Sequence, residues 1–231
     1  MGISYNTLPT VTDGMVLCLD AANPKSYPGS GTTWFDLSGN GNNGTNSGGP
    51  TYSSNNKGYF EFDNTNDVSI IANSDSLNPT TALSIESWAM FAVGSSLDFI
   101  FEKGNVNTQY SLFSHGSDVV FRTKHEGDTS YHTQNPSKTS VGVVNGQWHH
   151  IVGSWDGTTK RIYIDGVLKN SVSKSGNLVT TTPGAAVGRF GGTSSGYWFE
   201  GNIAKVAVYN KGLSAAEIRQ NFEALRGRYG I

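Results

Sequence analysis

Arg161-Ile162-Tyr163-Ile164-Asp165-Gly166-Val167-Leu168 sets two β-prone runs on either side of an Asp-Gly pair. A two-residue type I′ turn needs positive φ at both central positions, and Asp-Gly is one of the few pairs that tolerate this. The segment reads as an antiparallel hairpin, and its turn position accounts for Asp165 without a catalytic role. The same pattern recurs on both sides. Short apolar or aromatic runs at 15–19, 59–62, 68–71, 83–91, 98–101, 110–113, 119–123, 148–155, 185–189 and 201–209 are separated by Gly, Asn, Ser and Pro. Strands at this spacing predict an all-β, two-sheet antiparallel sandwich or barrel.

Composition agrees. Charged residues make up 15% of the 231, while 29 are Gly, a mixture that suits short strands and tight turns and is poor for long helices. A net charge of −2, with no Lys/Arg stripe, argues against a nucleic-acid partner. Cys18 is the only cysteine, so no intrachain disulfide can form, and its setting in Val16-Leu17-Cys18-Leu19 reads as core. The first residues lack the basic and apolar regions of a signal peptide, and no apolar run reaches the roughly 18 residues of a membrane span. The expected partners therefore include no membrane, and the expected route is synthesis in a cytoplasm without a signal peptide.

Residues 1–13, with Pro9 and little apolar pattern, read as an N-terminal arm, and 14–231 as one domain. Residues 21–56 are mostly turn formers and predict a long ordered loop pinned by Trp34, Phe35 and Leu37. One short C-terminal helix is expected. Ser214 and Glu217 form a capping box, and Ile218, Phe222 and Leu225 make one apolar stripe that has to lie on the sandwich. Gly227 is its expected end, with Arg226 and Arg228 beside the negative pole of the helix dipole.

Several segments together resemble the laminin G-like, pentraxin-like branch of the concanavalin A-like lectin/glucanase superfamily. They are Leu83-Ser84-Ile85-Glu86-Ser87-Trp88, Phe101-Glu102-Lys103-Gly104, Gln147-Trp148-His149-His150-Ile151-Val152, the Asp165-Gly166 hairpin and Phe199-Glu200-Gly201-Asn202-Ile203, running on to Leu213-Ser214-Ala215-Ala216-Glu217-Ile218. The resemblance implies a jelly roll over 14–231. The opening, Gly14 through Trp34-Phe35-Asp36-Leu37-Ser38-Gly39-Asn40-Gly41, and the ending, Asn221 to Ile231, are similar to laminin G-like proteins of tailed bacteriophages. This implies a non-enzymatic virion surface protein: a capsid decoration, head fibre or tail-associated module. Its expected partners are other virion proteins, met through residues 1–13, or a second copy. The alternative is a lectin or adhesin that recognises host-surface glycans.

Catalytic chemistry finds little support. Glucanases of the superfamily aim three carboxylates from one strand face into the cleft as Glu-x-Asp-x-Glu. The nearest string here, Glu61-Phe62-Asp63-Asn64-Thr65, ends in Thr and lacks the acid/base, so a glycan hydrolase is the weaker alternative and no catalytic residue is assigned. His149 and His150 are strand neighbours that point to opposite faces, so one core-facing and one surface-facing ring are expected. No cofactor is expected unless calcium binds. Asp63, Thr65 and Asp67 would then offer oxygen ligands at i, i+2 and i+4, against the competing reading of an Asx-rich turn. Carbohydrate binding needs aromatic platforms with polar neighbours. The candidates are Trp34 in the long loop, Tyr131 with His132, and Tyr197 with Trp198 after the glycine-rich 191–196.

Overall fold

The computed structural model describes residues 8–94, 97–104, 108–134, 138–191 and 197–231. Two antiparallel sheets face each other. The first holds β1 (Met15–Asp20), β4 (Thr51–Ser53), β5 (Tyr59–Asp63), β7 (Leu83–Phe91), β12 (His149–Trp155), β13 (Thr159–Ile164), β14 (Val167–Ser173) and β16 (Glu200–Tyr209). Its order is β14-β13-β12-β7-β16-β5-β4, and β1 also pairs with β16. The second holds β2 (Thr33–Trp34), β3 (Gly44–Ser47), β6 (Val68–Ile71), β8 (Leu97–Lys103), β9 (Tyr110–His115), β10 (Asp118–Thr123), β11 (His132–Gln134) and β15 (Ala185–Val187), in the order β11-β10-β9-β8-β15-β6-β3-β2. A one-turn helix, α1 (Lys138–Val141), and a longer one, α2 (Ala215–Tyr229), are the α-helices among the described residues, beside short 3-10 turns at Asn55–Lys57 and Asp75–Leu77. Neither helix is long and apolar enough to cross a membrane.

The hairpin forms as its sequence dictates, with Asp165 at φ 52° and Gly166 at φ 74°. Asp165 does more than turn. Its carboxylate accepts from the His150 backbone N–H at 2.9 Å and from His149 Nδ1 at 2.8 Å, while His149 Nε2 accepts from the Val144 N–H. Residues 21–56 hold three short strands rather than a bare loop. Trp34 is the true anchor, whereas Phe35 stands exposed.

Alternation sorts the side chains. Leu83, Ile85, Ala89 and Phe91 of β7 face Leu112, Val119 and Phe121 of the other sheet across the central core. Ser84, Glu86, Trp88 and Met90 take the opposite face of β7, and α2 covers that face. Trp88 stacks between Phe222, with centroids 5.9 Å apart, and Tyr229, 4.3 Å apart. Ile218 packs on Val152, Tyr163 and Tyr209. The capping box forms as read, but the helix runs through Gly227 to Tyr229, and it is Gly230, at φ 75°, that ends it. Arg228 reaches Asp20 of β1 at 2.9 Å, and Arg226 pairs with Glu223.

Covering this face also corrects the expectation for the histidine pair. Both rings are buried, because the face expected to meet solvent at His150 lies beneath Phe222. Glu86 is fully buried there. Lys205 Nζ lies 2.9 Å from its Oε1, and Asn221 Nδ2 donates to its Oε2 at 2.5 Å, with the Tyr209 hydroxyl 3.3 Å away. Burial opposes ionisation of Glu86, but Lys205 and His150 outweigh it and hold the carboxyl below its usual range. Residues 9–13 join the same network. Val11 N–H donates to Asn221 Oδ1 at 2.7 Å, the Tyr209 hydroxyl donates to Val11 O, and Gln220 donates to Pro9 O. Breaking one side of a buried pair leaves an uncompensated charge. Lys205→Met is therefore expected to cost about 3–5 kcal/mol in denaturant unfolding, and Glu86→Leu/Lys205→Met much less. Equal losses in the two variants would show that Glu86 is not held as a charge.

Candidate binding face

α2 covers the outer face of the first sheet, whereas on the outer face of the second the central side chains are buried and those at its two ends, Tyr131 and Tyr197, reach solvent. Its central strands do not alternate between apolar and polar. Phe101, Leu112 and Phe121 point to the core, while Phe99, Phe113 and Val120 form a separate cluster on the outside. Phe99 and Phe113 stack with centroids 4.4 Å apart. The Arg122 guanidinium lies 4.5 Å from the Phe113 ring centroid and 5.0 Å from that of Tyr131. Lys124 Nζ is 5.4 Å from the Tyr131 centroid. At the other end Phe190 meets Phe99 edge-on at 5.2 Å, and Tyr197 stands edge-on to Phe190 at 6.0 Å. The result is an aromatic and cationic strip from Tyr131 to Tyr197, and Tyr197 is 50% exposed at its end. Phe99 and Phe113 within it are buried, so the rings within reach of a ligand are Tyr197 and the partly exposed Tyr131, each with an apolar face and a polar tip.

Beside the strip runs a polar row fixed by strand register, with Glu102 opposite Ser111 and Ser111 opposite Arg122. Thr108 Oγ1 donates to Glu102 Oε1, while Glu102 Oε2, Ser111 Oγ and Arg122 Nε are buried without a hydrogen-bond partner. Burial pushes the Glu102 carboxyl up to about 8, against the opposing pull of the Thr108 hydrogen bond and the Arg122 charge. Glu102 is thus mostly protonated at neutral pH.

The structure links two of the candidates found in the sequence, Tyr131 and Tyr197, through side-chain contacts that run across the buried Phe113 and Phe99. Trp198 sits next to it, half-buried, with the Arg189 guanidinium 5.1 Å from its ring. His132 lies in β11, its side chain outside the described residues, as are positions 192–196 of the glycine-rich turn. Trp34 is corrected: its side chain is fully buried between the sheets, edge-on to Phe60 at 4.8 Å, and offers no platform. Asp63, Thr65 and Asp67 lie at the end of β5, in the other sheet. The Asp63 carboxylate caps the N–H groups of Thr65 and Asn66, and Asp67 Oδ2 accepts from the Asp63 N–H. Among the described residues no three His, Cys, Asp or Glu side chains are grouped to hold a metal ion. Glu61 and Asp63 point to solvent from the sheet that lacks the aromatic strip.

Phe99, Phe113, Phe190, Arg122 and Glu102 were not singled out from sequence. The available signal was the unbroken run Phe99-Ile100-Phe101 and the pair Leu112-Phe113, where a half-solvated strand alternates.

A two-sheet antiparallel sandwich with a helix sealing one outer face is the architecture of a concanavalin A-like domain. The chain belongs to the concanavalin A-like lectin/glucanases superfamily, whose laminin G family model matches residues 62–219. No curated protein matches it in sequence. Among solved structures, it is similar to the receptor binding domain of botulinum neurotoxin C/D mosaic serotype, with a TM-score of 0.72, 14% identity and 92% of this chain covered. It is also similar to the binding domain of Paraclostridial Mosquitocidal Protein 1, with a TM-score of 0.70, 14% identity and 91% covered. A third is the binding domain of botulinum neurotoxin DC in complex with SialylT, with a TM-score of 0.70, 15% identity and 93% covered. In each case the chain spans 52% of the similar structure. At these identities the likeness establishes the fold alone.

Because the folded protein holds the Glu102 proton more tightly than the unfolded chain, stability falls as pH rises from the ordinary carboxyl range through about 8. Glu102→Gln is expected to fold and to lose part of the decline in melting temperature between pH 5 and 8. An unchanged decline would mean that Glu102 ionises normally.

Proposed function

We propose that the protein is a non-enzymatic recognition module that binds glycans on the outer face of its second sheet. The observation that carries this is the strip Tyr131–Arg122–Phe113–Phe99–Tyr197. Its two ends, the half-exposed Tyr197 and the partly exposed Tyr131, are aromatic rings with polar neighbours, backed by the buried Phe99–Phe113 stack, and suit a ligand with apolar ring faces and many hydroxyls. The similar toxin structures are described as binding domains, one of them in complex with SialylT, which supports a binding role over a hydrolytic one. The lone Glu102 on this face also lacks the second carboxylate that glycoside hydrolysis ordinarily uses.

The phage-like opening and ending segments support a setting on a virion surface, where such a module would act as an adhesin. Residues 9–13 are held by the protein's own α2, so contact with other virion proteins falls to residues 1–7, which lie outside the described residues. Mass spectrometry of purified particles tests this setting. Consistent absence of the protein from them would remove the virion role and leave the binding role intact.

A glycan array, run with and without a chelator, tests the binding reading. Binding that falls about tenfold or more in Tyr197→Ala or Tyr131→Ala supports it, since one aromatic contact contributes on the order of 1 kcal/mol beyond its buried area. Loss of binding with the chelator would assign a calcium ion to the site. No glycan bound under either condition would refute the reading.

A further inference from the structure

We infer that the recess walled by Val93, the Gly116-Ser117 turn and residues 142–145 binds a small organic acid with an apolar body, whose carboxylate is taken by Lys138 Nζ. Tyr131 and Tyr197 take no part in this site, so it stands or falls independently of the glycan reading. Three observations support it.

The first is an unmet buried donor. The other buried ammonium groups find acceptors: Lys205 meets Glu86, Lys103 Nζ donates to the Thr181 and Pro183 carbonyls, and Lys160 Nζ donates to the Phe121 carbonyl. Lys138 is 5% exposed, yet its Nζ is buried with no hydrogen-bond partner. Behind it lies only the face of the Phe91 ring, 4.5 Å away at its centroid. Burying an ammonium without an acceptor is costly, and a carboxylate supplies one through a charge-assisted hydrogen bond. Burial lowers the pKa of Lys138, while Asp98 and Asp118 raise it without hydrogen-bonding it. Asp98 is itself engaged, accepting from Ser114 Oγ and from the Glu200 N–H. Because these two acids repel an anion in proportion to its charge, a singly charged carboxylate fits better than a phosphate dianion.

The second is a place for the apolar body. Lys138 lines a recess of about 510 Å³, within the size range of small-molecule sites. Val93, Val143 and Val144 line the same recess. Val93 is 81% exposed, the most of any large apolar side chain among the described residues, and Val144 is 48% exposed. Exposed apolar side chains scattered singly are ordinary, but here two of them converge on one recess beside a buried cation. Apolar walls around a single charged donor match an amphiphilic acid and suit a sugar poorly.

The third is that the walls are tied in place by the fold itself. The Lys138 N–H donates to the Ser117 carbonyl, and the Val143 N–H donates to the Lys138 carbonyl at 2.9 Å, which joins α1 to the turn between β9 and β10. The Gly146 N–H donates to the Phe91 carbonyl at 2.8 Å. The Val144 N–H donates to His149 Nε2 at 3.0 Å, and Asp165 holds the other nitrogen of that ring. The Asp165 turn thus positions one wall of the recess through His149. A site built in advance loses little affinity to ordering when its ligand arrives.

The test is titration calorimetry of the full chain with butanoate, hexanoate and octanoate, with octanamide as the uncharged counterpart and octyl phosphate as the dianion. The expected result is saturable one-to-one binding of octanoate, about tenfold or more tighter than octanamide. Affinity should rise about two- to fourfold with each added methylene, and octyl phosphate should bind no more tightly than octanoate. Lys138→Met keeps the apolar stem and removes the unmet charge, so it is expected to fold and to bring octanoate down to the octanamide level. Val93→Asp, at an exposed position, should weaken octanoate by about tenfold and serves if Lys138→Met does not fold. Tyr197→Ala should leave octanoate binding unchanged. Absence of saturable octanoate binding would overturn the inference, as would equal affinity for octanoate and octanamide or octanoate binding that survives both recess variants. Tighter binding of octyl phosphate would overturn the choice of a carboxylate. The glycan array decides the lectin reading separately, whichever of these results is found.

Discussion

The buried Glu86 carboxylate is the constraint around which the rest of this molecule is arranged. It sits at the centre of the first sheet, on the face turned away from the core, where a charge would ordinarily meet water. Lys205 from the neighbouring strand, the Tyr209 hydroxyl and the Asn221 amide from α2 surround it instead. A charge so placed is tolerated only while those partners remain in position. Helix, strand and the residues 9–13 that bind Asn221 and Tyr209 are therefore tied to a single point. The aromatic stack of Trp88 with Phe222 and Tyr229 contributes the apolar burial, and the polar cluster fixes where the helix docks.

This closure makes the two outer faces unequal. Each sheet of a sandwich has one face in the core and one to dispose of. Here the first sheet gives its outer face to α2, while on the second Phe99 and Phe113 are buried and Arg122 and Tyr197 reach solvent. The polar row beside them contains buried atoms without partners, a costly arrangement for a purely structural surface. The proposed binding role rests on the two aromatic residues that reach solvent at the ends of this face, Tyr131 and Tyr197.

The carboxylates of this fold, which the chain shares with hydrolases, are what favour the proposed binding role. Glu102 has no carboxylate neighbour with which to divide acid and nucleophile roles. Glu61 and Asp63, the nearest match to a catalytic string, belong to the other sheet. Elevation of the Glu102 value reflects loss of water around one group, and it turns the residue into a hydrogen-bond donor at neutral pH.

Much of this was legible in the sequence, wherever the physics is local. Asp165-Gly166 required its turn and Ser214 and Glu217 required their cap, because turns and caps depend on residues a few positions apart. The binding candidates Tyr131 and Tyr197 were visible for the same reason, as aromatic residues among polar neighbours. What only the tertiary structure decided was which outer face would be covered. Glu86 and His150 lie on the outer face of their sheet, yet a helix more than sixty residues away in the chain buries them. Trp34 reads as a loop aromatic, yet the pairing of β2 with β3 turns it into the core. Arg122 acquires its unpaired charge, and Glu102 its proton, from strands brought together by register. Burial and charge pairing are sums over neighbours in space, and those neighbours are set only when the sheets close.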